Sequence, residues 1–161
     1  SDKNTAKDNA LIAYFTFGEG YHNYHHSFQF DYRNGIRWWQ FDPTKWLIWS
    51  LNKIGLAGNL RTCGSDRIEK AKAQMLLQKA NEGLSSLPNA DEIRDMLHAE
   101  YEHLIEHINR AYEARKAWLE MKKNDLIEAY DKSEAMKQYK ELKSNLQEQR
   151  EKWNSLIAQY A

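Results

Sequence analysis

The sequence holds one cysteine, Cys63, and two prolines in 161 residues. One thiol excludes an intrachain disulfide and a cysteine-based zinc cluster, and it suits a reducing compartment. Net charge is absent too, with 23 Lys+Arg balanced by 23 Asp+Glu. The basic surplus that bulk nucleic-acid binding requires is therefore missing, and no nucleic-acid partner is expected. Long apolar runs are also lacking. "ALIAYFTF" and "WLIWSL" fall far short of the roughly 20 residues that span a bilayer. The polar, charged first ten residues give no signal peptide, and the first residue is Ser1, as at a processed or truncated end.

What is present divides near Cys63-Gly64. Residues 1–63 carry three histidines and four of the six tryptophans (Trp38, Trp39, Trp46, Trp49). Residues 64–161 are charged, periodic and nearly free of breakers. The expected organisation is a site-bearing segment at 1–63 and a helical arm at 64–161, in an all-α chain.

Local signals outline the elements. Asp8 or Asn9 is a candidate cap for a helix through "ALIAYFTF". "FDYRNG" reads as loop, with Asn34-Gly35 suited to positive φ. In "FDPTKWLIWSLNKIGL", Asp42 is the expected N-cap and Pro43 the first helical residue, with Gly55 and Gly58 closing the helix. Three pairs have capping-box spacing: Asp66 with Glu69, Asn89 with Glu92 and Asp131 with Glu134. Leu97, Tyr101, Leu104, Ile108, Ala111 and Trp118 form one stripe at steps of mostly three and four. Tyr139, Leu142, Leu146, Gln149, Trp153, Leu156 and Tyr160 form another. Two such helices joined near 124–133 predict an antiparallel hairpin.

The densest chemistry lies in "GEGYHNYHH", residues 18–26. On a helix, His22, His25 and His26 stand at i, i+3 and i+4 and share one face. Imidazole ligates Fe, Zn, Cu and Ni, and a convergent trio favours a metal role over a histidine-rich surface patch. Glu19 and Asn23 are candidate acceptors for the second ring nitrogens.

"GEGYHNYHHSF" resembles the third histidine box, of HxxHH form, in the membrane fatty-acid desaturases that act on acyl-CoA, the stearoyl-CoA type. The similarity extends through "DYRNGIRWWQFDPTKWLIWSLNKIGLAGNLR", which resembles the segment after that box in bacterial Δ9 desaturases, and back over "DNALIAYFTF". The tail at "DRIEKAKAQMLLQKA" is similar to the cytoplasmic tail of bacterial members.

The resemblance implies a membrane-associated oxidoreductase at the cytoplasmic face. Such an enzyme introduces a cis double bond into a saturated acyl chain with O2 and two irons. His22, His25 and His26 match iron ligands. The implied partners are an acyl-CoA or acyl-lipid substrate and an electron donor of cytochrome b5, ferredoxin or rubredoxin type. The membrane would be met through upstream spanning helices and an interfacial helix. On charge, Arg33 and Arg37, with Lys45 beside them, are candidate contacts for an acidic donor or anionic headgroups. Trp38, Trp39, Trp46 and Trp49, with Lys45 and Lys53, suit a membrane interface, aromatics at headgroup depth and lysines snorkelling.

The family's two earlier histidine boxes and its spanning helices have no counterpart in these residues. The expectation is a C-terminal portion, inactive alone, with part of a ligand set. His98, His103 and His107 in "HAEYEHLIEHINR" do not replace the rest: the ExxH spacing of Glu100 and His103 lacks partner glutamates. A solvated face with Glu106–Arg110 pairing is expected there. Two other function classes remain: a helical interaction module without catalysis, and a three-histidine zinc site with an open position.

Overall fold

A computed structural model describes residues 27–35, 37, 40–84, 89–124 and 129–160. The fold is all-α: among the described residues the regular elements are helices, and no strand forms. We number them α1 (Pro43–Lys53), α2 (Ser65–Gly83), α3 (Ala90–Lys123) and α4 (Ala129–Ile157). The chain forms two compact units, Ser1–Gly64 and Ser65–Ala161.

In the first unit, α1 begins and ends where local chemistry dictates. The Asp42 carboxylate accepts from the Lys45 N–H at 2.9 Å, and Pro43 occupies the first turn. Such a cap is worth about 1 kcal/mol. At the far end Gly55 takes φ +78°, a conformation glycine adopts without a Cβ penalty. The Gly55 N–H donates to the Asn52 carbonyl at 3.1 Å and the Leu56 N–H to the Leu51 carbonyl at 2.9 Å. This is the paired closure of a Schellman motif, which satisfies carbonyls the helix leaves open.

The second unit is an up-down-up bundle. α3 and α4 form the expected antiparallel hairpin: Tyr101 meets Trp153 near one end, and Trp118 stacks on Tyr139 towards the other, at 5.9 Å. α2, the helix whose start the Asp66 and Glu69 spacing marked, packs against this hairpin, a placement the stripes of α3 and α4 did not announce. Lys70 bonds Asn109 while Asn81 approaches His98, so α2 runs antiparallel to α3. The core holds Ala73, Leu77, Ala80 and Leu84 from α2 and its end, Leu97, Leu104, Ile108 and Ala111 from α3, and Leu146, Trp153 and Ile157 from α4. Small alanines on α2 let it approach the larger side chains of α3. At Gly83, near the end of α2, a Cβ would stand 3.2 Å from the Tyr160 carbonyl oxygen, a tight contact that a larger residue would relieve only by a small shift of the chain there.

Some sequence expectations land differently. α2 starts at Ser65, so Asp66 lies inside the first turn, and the Glu69 carboxylate turns to Arg150 on α4, at 2.5 and 2.7 Å. A bidentate ion pair to a fixed guanidinium outcompetes a reach back to the helix start. Asn89 precedes α3 as expected but makes no side-chain cap bond. α4 starts at Ala129, which puts Asp131 in its first turn rather than at the cap. The helix proposed through "ALIAYFTF" lies outside the described residues.

Candidate functional site

His22, His25, His26, Glu19, Asn23, Trp38 and Trp39 lie outside the described residues. The structure describes the segment that follows the histidines, from residue 27, and how it is fastened.

Two buried aspartates organise that segment. Asp31 is 2% exposed. Its Oδ1 accepts from the Arg33 N–H at 3.0 Å and Nε at 2.9 Å. Its Oδ2 accepts from Arg33 Nη2 and from the Cys63 N–H, both at 2.7 Å. The adjacent Tyr32 N–H donates to the Arg61 carbonyl at 3.1 Å. The chain leaving the histidine motif is thus tied at two successive residues to the chain that has come back beyond α1.

Asp42, fully buried, does more than cap α1. Its Oδ2 accepts from the Asn34 and Gly35 N–H groups at 2.8 and 2.9 Å. Gly35 was expected for positive φ, but its φ lies outside that region. The reason for glycine is crowding: a Cβ would stand 2.8 Å from the Gln40 Cβ.

Lys45 also sits differently from the interfacial placement its position in the sequence suggests. The residue is 7% exposed, and its ammonium donates to the Gly35 and Arg37 carbonyls at 3.0 and 3.1 Å. Burial lowers its pKa, Asp42 opposes that shift, and Arg33 adds to it. A buried ammonium must satisfy its donors, and here loop carbonyls do so.

The remaining candidates lie outward. Trp46 and Trp49 are 44% and 52% exposed, and Leu47, Ile54 and Leu56 more so. At 100° per residue, Trp49, Lys53, Trp46, Ser50, Ile54 and Leu47 follow one another around one arc of α1 and its end. Trp46 meets the Phe41 ring edge-on at 5.6 Å, and Lys53 Nζ lies 5.3 Å from the Trp49 ring. Arg37 is exposed, whereas the Arg33 guanidinium is engaged by Asp31.

On α3, His98 and His103 are exposed and His107 is half-buried. Arg110 pairs with Glu106 at 3.6 Å, as the spacing predicts. Among the described residues no group of three or more histidine, cysteine, aspartate or glutamate side chains converges for a metal ion, and no helix is long and apolar enough to cross a membrane.

Sequence reasoning found the Asp42 cap but missed Asp31 and the loop-binding half of Asp42. The "FDPT" signature signals a cap locally, whereas nothing in "FDYRNG" announces a bond to residue 63.

Comparison with known proteins finds similarity to acyl desaturases over up to half of the chain. Over 80 residues, 50% of this chain, it is 48% identical to Acyl-CoA desaturase 1 of Saccharomyces cerevisiae, covering 16% of that protein. Over 73 residues it is 48% identical to a probable acyl-CoA desaturase of Schizosaccharomyces pombe, covering 45% of this chain and 15% of that one. Over 67 residues it is 40% identical to the icosanoyl-CoA 5-desaturase of Limnanthes douglasii, covering 42% and 19%. The chain thus spans about one sixth of the length of the first two relatives. No family model matches, and no solved structure does.

Proposed function

We propose that this chain is part of a fatty acyl desaturase and contributes three imidazole ligands, His22, His25 and His26, to its di-iron centre. The observation that carries the reading is the 48% identity, over half the chain, to an acyl-CoA desaturase. The donor set fits iron chemically, being imidazoles at a sequence spacing that would share one face if the segment is helical. It is too small for two irons, so the other ligands come from outside these 161 residues. When bound, the irons supply the O2-dependent removal of two hydrogens from an unactivated acyl chain, which no side chain can perform.

The chain's own residues have supporting tasks. Glu19 and Asn23 accept the second ring N–H of ligand histidines and so fix their orientation. Arg37, exposed beside the anchored loop, meets an acidic electron donor or anionic headgroups. The Trp46, Trp49 and Lys53 arc of α1 lies at the membrane interface, a role the sequence gives Trp38 and Trp39 as well. Lys45 holds the loop from within. The acyl substrate is an acyl-CoA or acyl lipid, with a Δ9 bond position as the resemblance implies.

Metal analysis of the native protein that contains this chain tests the reading. Two irons per chain, falling when His25→Ala is introduced, together with unsaturated product from a labelled saturated acyl-CoA, support it. One zinc per chain supports a hydrolytic three-histidine site instead, and a metal-free protein with no turnover removes the enzyme reading. The helical-module alternative is not favoured, because the stripes of α3 and α4 are taken up by packing within the second unit.

A further inference from the structure

The α3–α4 hairpin outruns α2. Near its start α2 meets both helices: Glu69 holds Arg150 on α4, and Lys70 bonds Asn109 on α3. Ser65, the first residue of α2, stands only four positions before Glu69, about 6 Å along the axis. From Asn109, α3 continues in that direction to Lys123, about 21 Å.

Steps of seven keep to one face of a coiled-coil pair. From Asn109 they lead to Lys116 and Lys123. From His98, which Asn81 approaches, the third step is Leu119. Backwards from Arg150 they lead to Lys143 and Met136, and Lys140 lies between those two at spacings of three and four. These six residues continue, past the start of α2, the side of the hairpin on which α2 sits. The four lysines are exposed, Leu119 is 37% exposed and Met136 is half-buried. Among the described residues no carboxylate pairs with any of the four ammonium groups. Glu113 and Glu141 instead line the groove on the hairpin's other side.

The covered half of this face shows what fits it. α2 is a helix that turns Ala73, Leu77 and Ala80 inward and sets a carboxylate on a cation of α4. The line between two packed helices is concave and seats a third helix, whereas a flat lipid surface would meet only the crests. Four like charges around two apolar side chains complement an acidic, partly apolar surface.

We propose that the outer half of the α3–α4 hairpin docks an acidic amphipathic helix of a partner protein in line with α2. Its apolar side covers Leu119 and Met136, and its carboxylates meet Lys116, Lys123, Lys140 and Lys143. This surface is additional to the desaturase reading and does not depend on it.

The test uses the full 161-residue chain and a synthetic three-heptad helix, labelled with a fluorophore, that carries Ala and Leu on one side and Glu flanking them. Fluorescence anisotropy gives the affinity, and circular dichroism checks that each variant is folded. Lys116→Glu with Lys140→Glu is expected to weaken binding at least about tenfold, because attraction becomes like-charge repulsion. Leu119→Ser with Met136→Ser should also weaken it several-fold. Lys79→Glu with Lys137→Glu, an equal charge change at exposed sites elsewhere, should leave it unaltered.

Equal weakening by both lysine pairs would reduce the effect to diffuse charge and overturn the proposal, as would an unchanged affinity in the serine variant. Absence of binding by the unaltered chain overturns it outright. Two further results assign the face to another occupant and overturn it too. One is loss of binding to phosphatidylglycerol vesicles in the Lys116 and Lys140 variant while the acidic helix still binds. The other is a chain that sedimentation shows to be a dimer and that this variant makes monomeric.

Discussion

Asp42 and Lys45 stand one helical turn apart and grip the same loop from both sides of its backbone. The carboxylate takes the N–H groups of Asn34 and Gly35, and the ammonium gives to the carbonyls of Gly35 and Arg37. The start of α1 and the loop before it are therefore one structural object, and neither holds its shape without the other.

Lys45→Met keeps the apolar stem and removes the donors, leaving two loop carbonyls without their partner. The expected cost is about 1–3 kcal/mol. Hydrogen exchange should show the residues of α1 losing protection while those of α3 keep theirs. Equal loss in both would mean that Lys45 acts on something other than this loop.

The outward arc of α1 predicts binding to lipid. Vesicles of phosphatidylcholine with phosphatidylglycerol should bind the chain, and Trp46→Ser combined with Trp49→Ser should weaken binding by about tenfold or more, given the apolar area two indoles bury. Co-sedimentation reads this directly. An unaltered chain that stays in the supernatant with both neutral and anionic vesicles would remove the interfacial role.

In the second unit, Leu97 and Ile108 are fully buried in the three-helix core, while Leu119 is 37% exposed. Leu97→Ala and Ile108→Ala should each cost about 2–5 kcal/mol, since both lost contacts and a residual cavity contribute. Leu119→Ala should fall well below that range. Urea denaturation followed by helix signal gives all three values, and a Leu119 effect equal to the others would point to an unseen partner surface.

Glu100 gives the second unit a dependence on pH. Burial raises its pKa, but hydrogen bonds from Lys152 and Gln149 and the charges of Lys152 and His103 outweigh that, leaving it below the ordinary carboxylate value of 4.5. A depressed carboxyl pKa stabilises the fold above the unfolded-state value, and that contribution disappears as pH falls through the folded-state value. The denaturation midpoint should therefore drop on acidification below about pH 4.5, in line with the linkage. Glu100→Gln should flatten that drop. An identical acid profile in the variant would assign the loss to other carboxylates.

Much of this fold is legible from the sequence where the signal is local or periodic. Asp42, Pro43 and Gly55 mark the ends of α1 because capping and left-handed closure involve residues a few positions apart. Leu97, Leu104, Ile108 and Ala111 read as a buried stripe because helical periodicity alone brings them to one face. The histidine motif is legible in the same way, as residue types at a spacing, and so is its likeness to desaturases.

What the sequence by itself determined, then, is helices, their ends, one hairpin and a ligand-type motif. The tertiary structure decided the rest. It brought α2 onto the hairpin, gave the Glu69 carboxylate to Arg150, turned Lys45 inward and joined Asp31 to the Cys63 N–H. Each of these depends on a partner far along the chain, or on how crowded a site becomes once the chain has folded. Neither spacing nor residue type encodes those distances, because they are fixed only when burial makes polar groups compete for the partners that folding brings near.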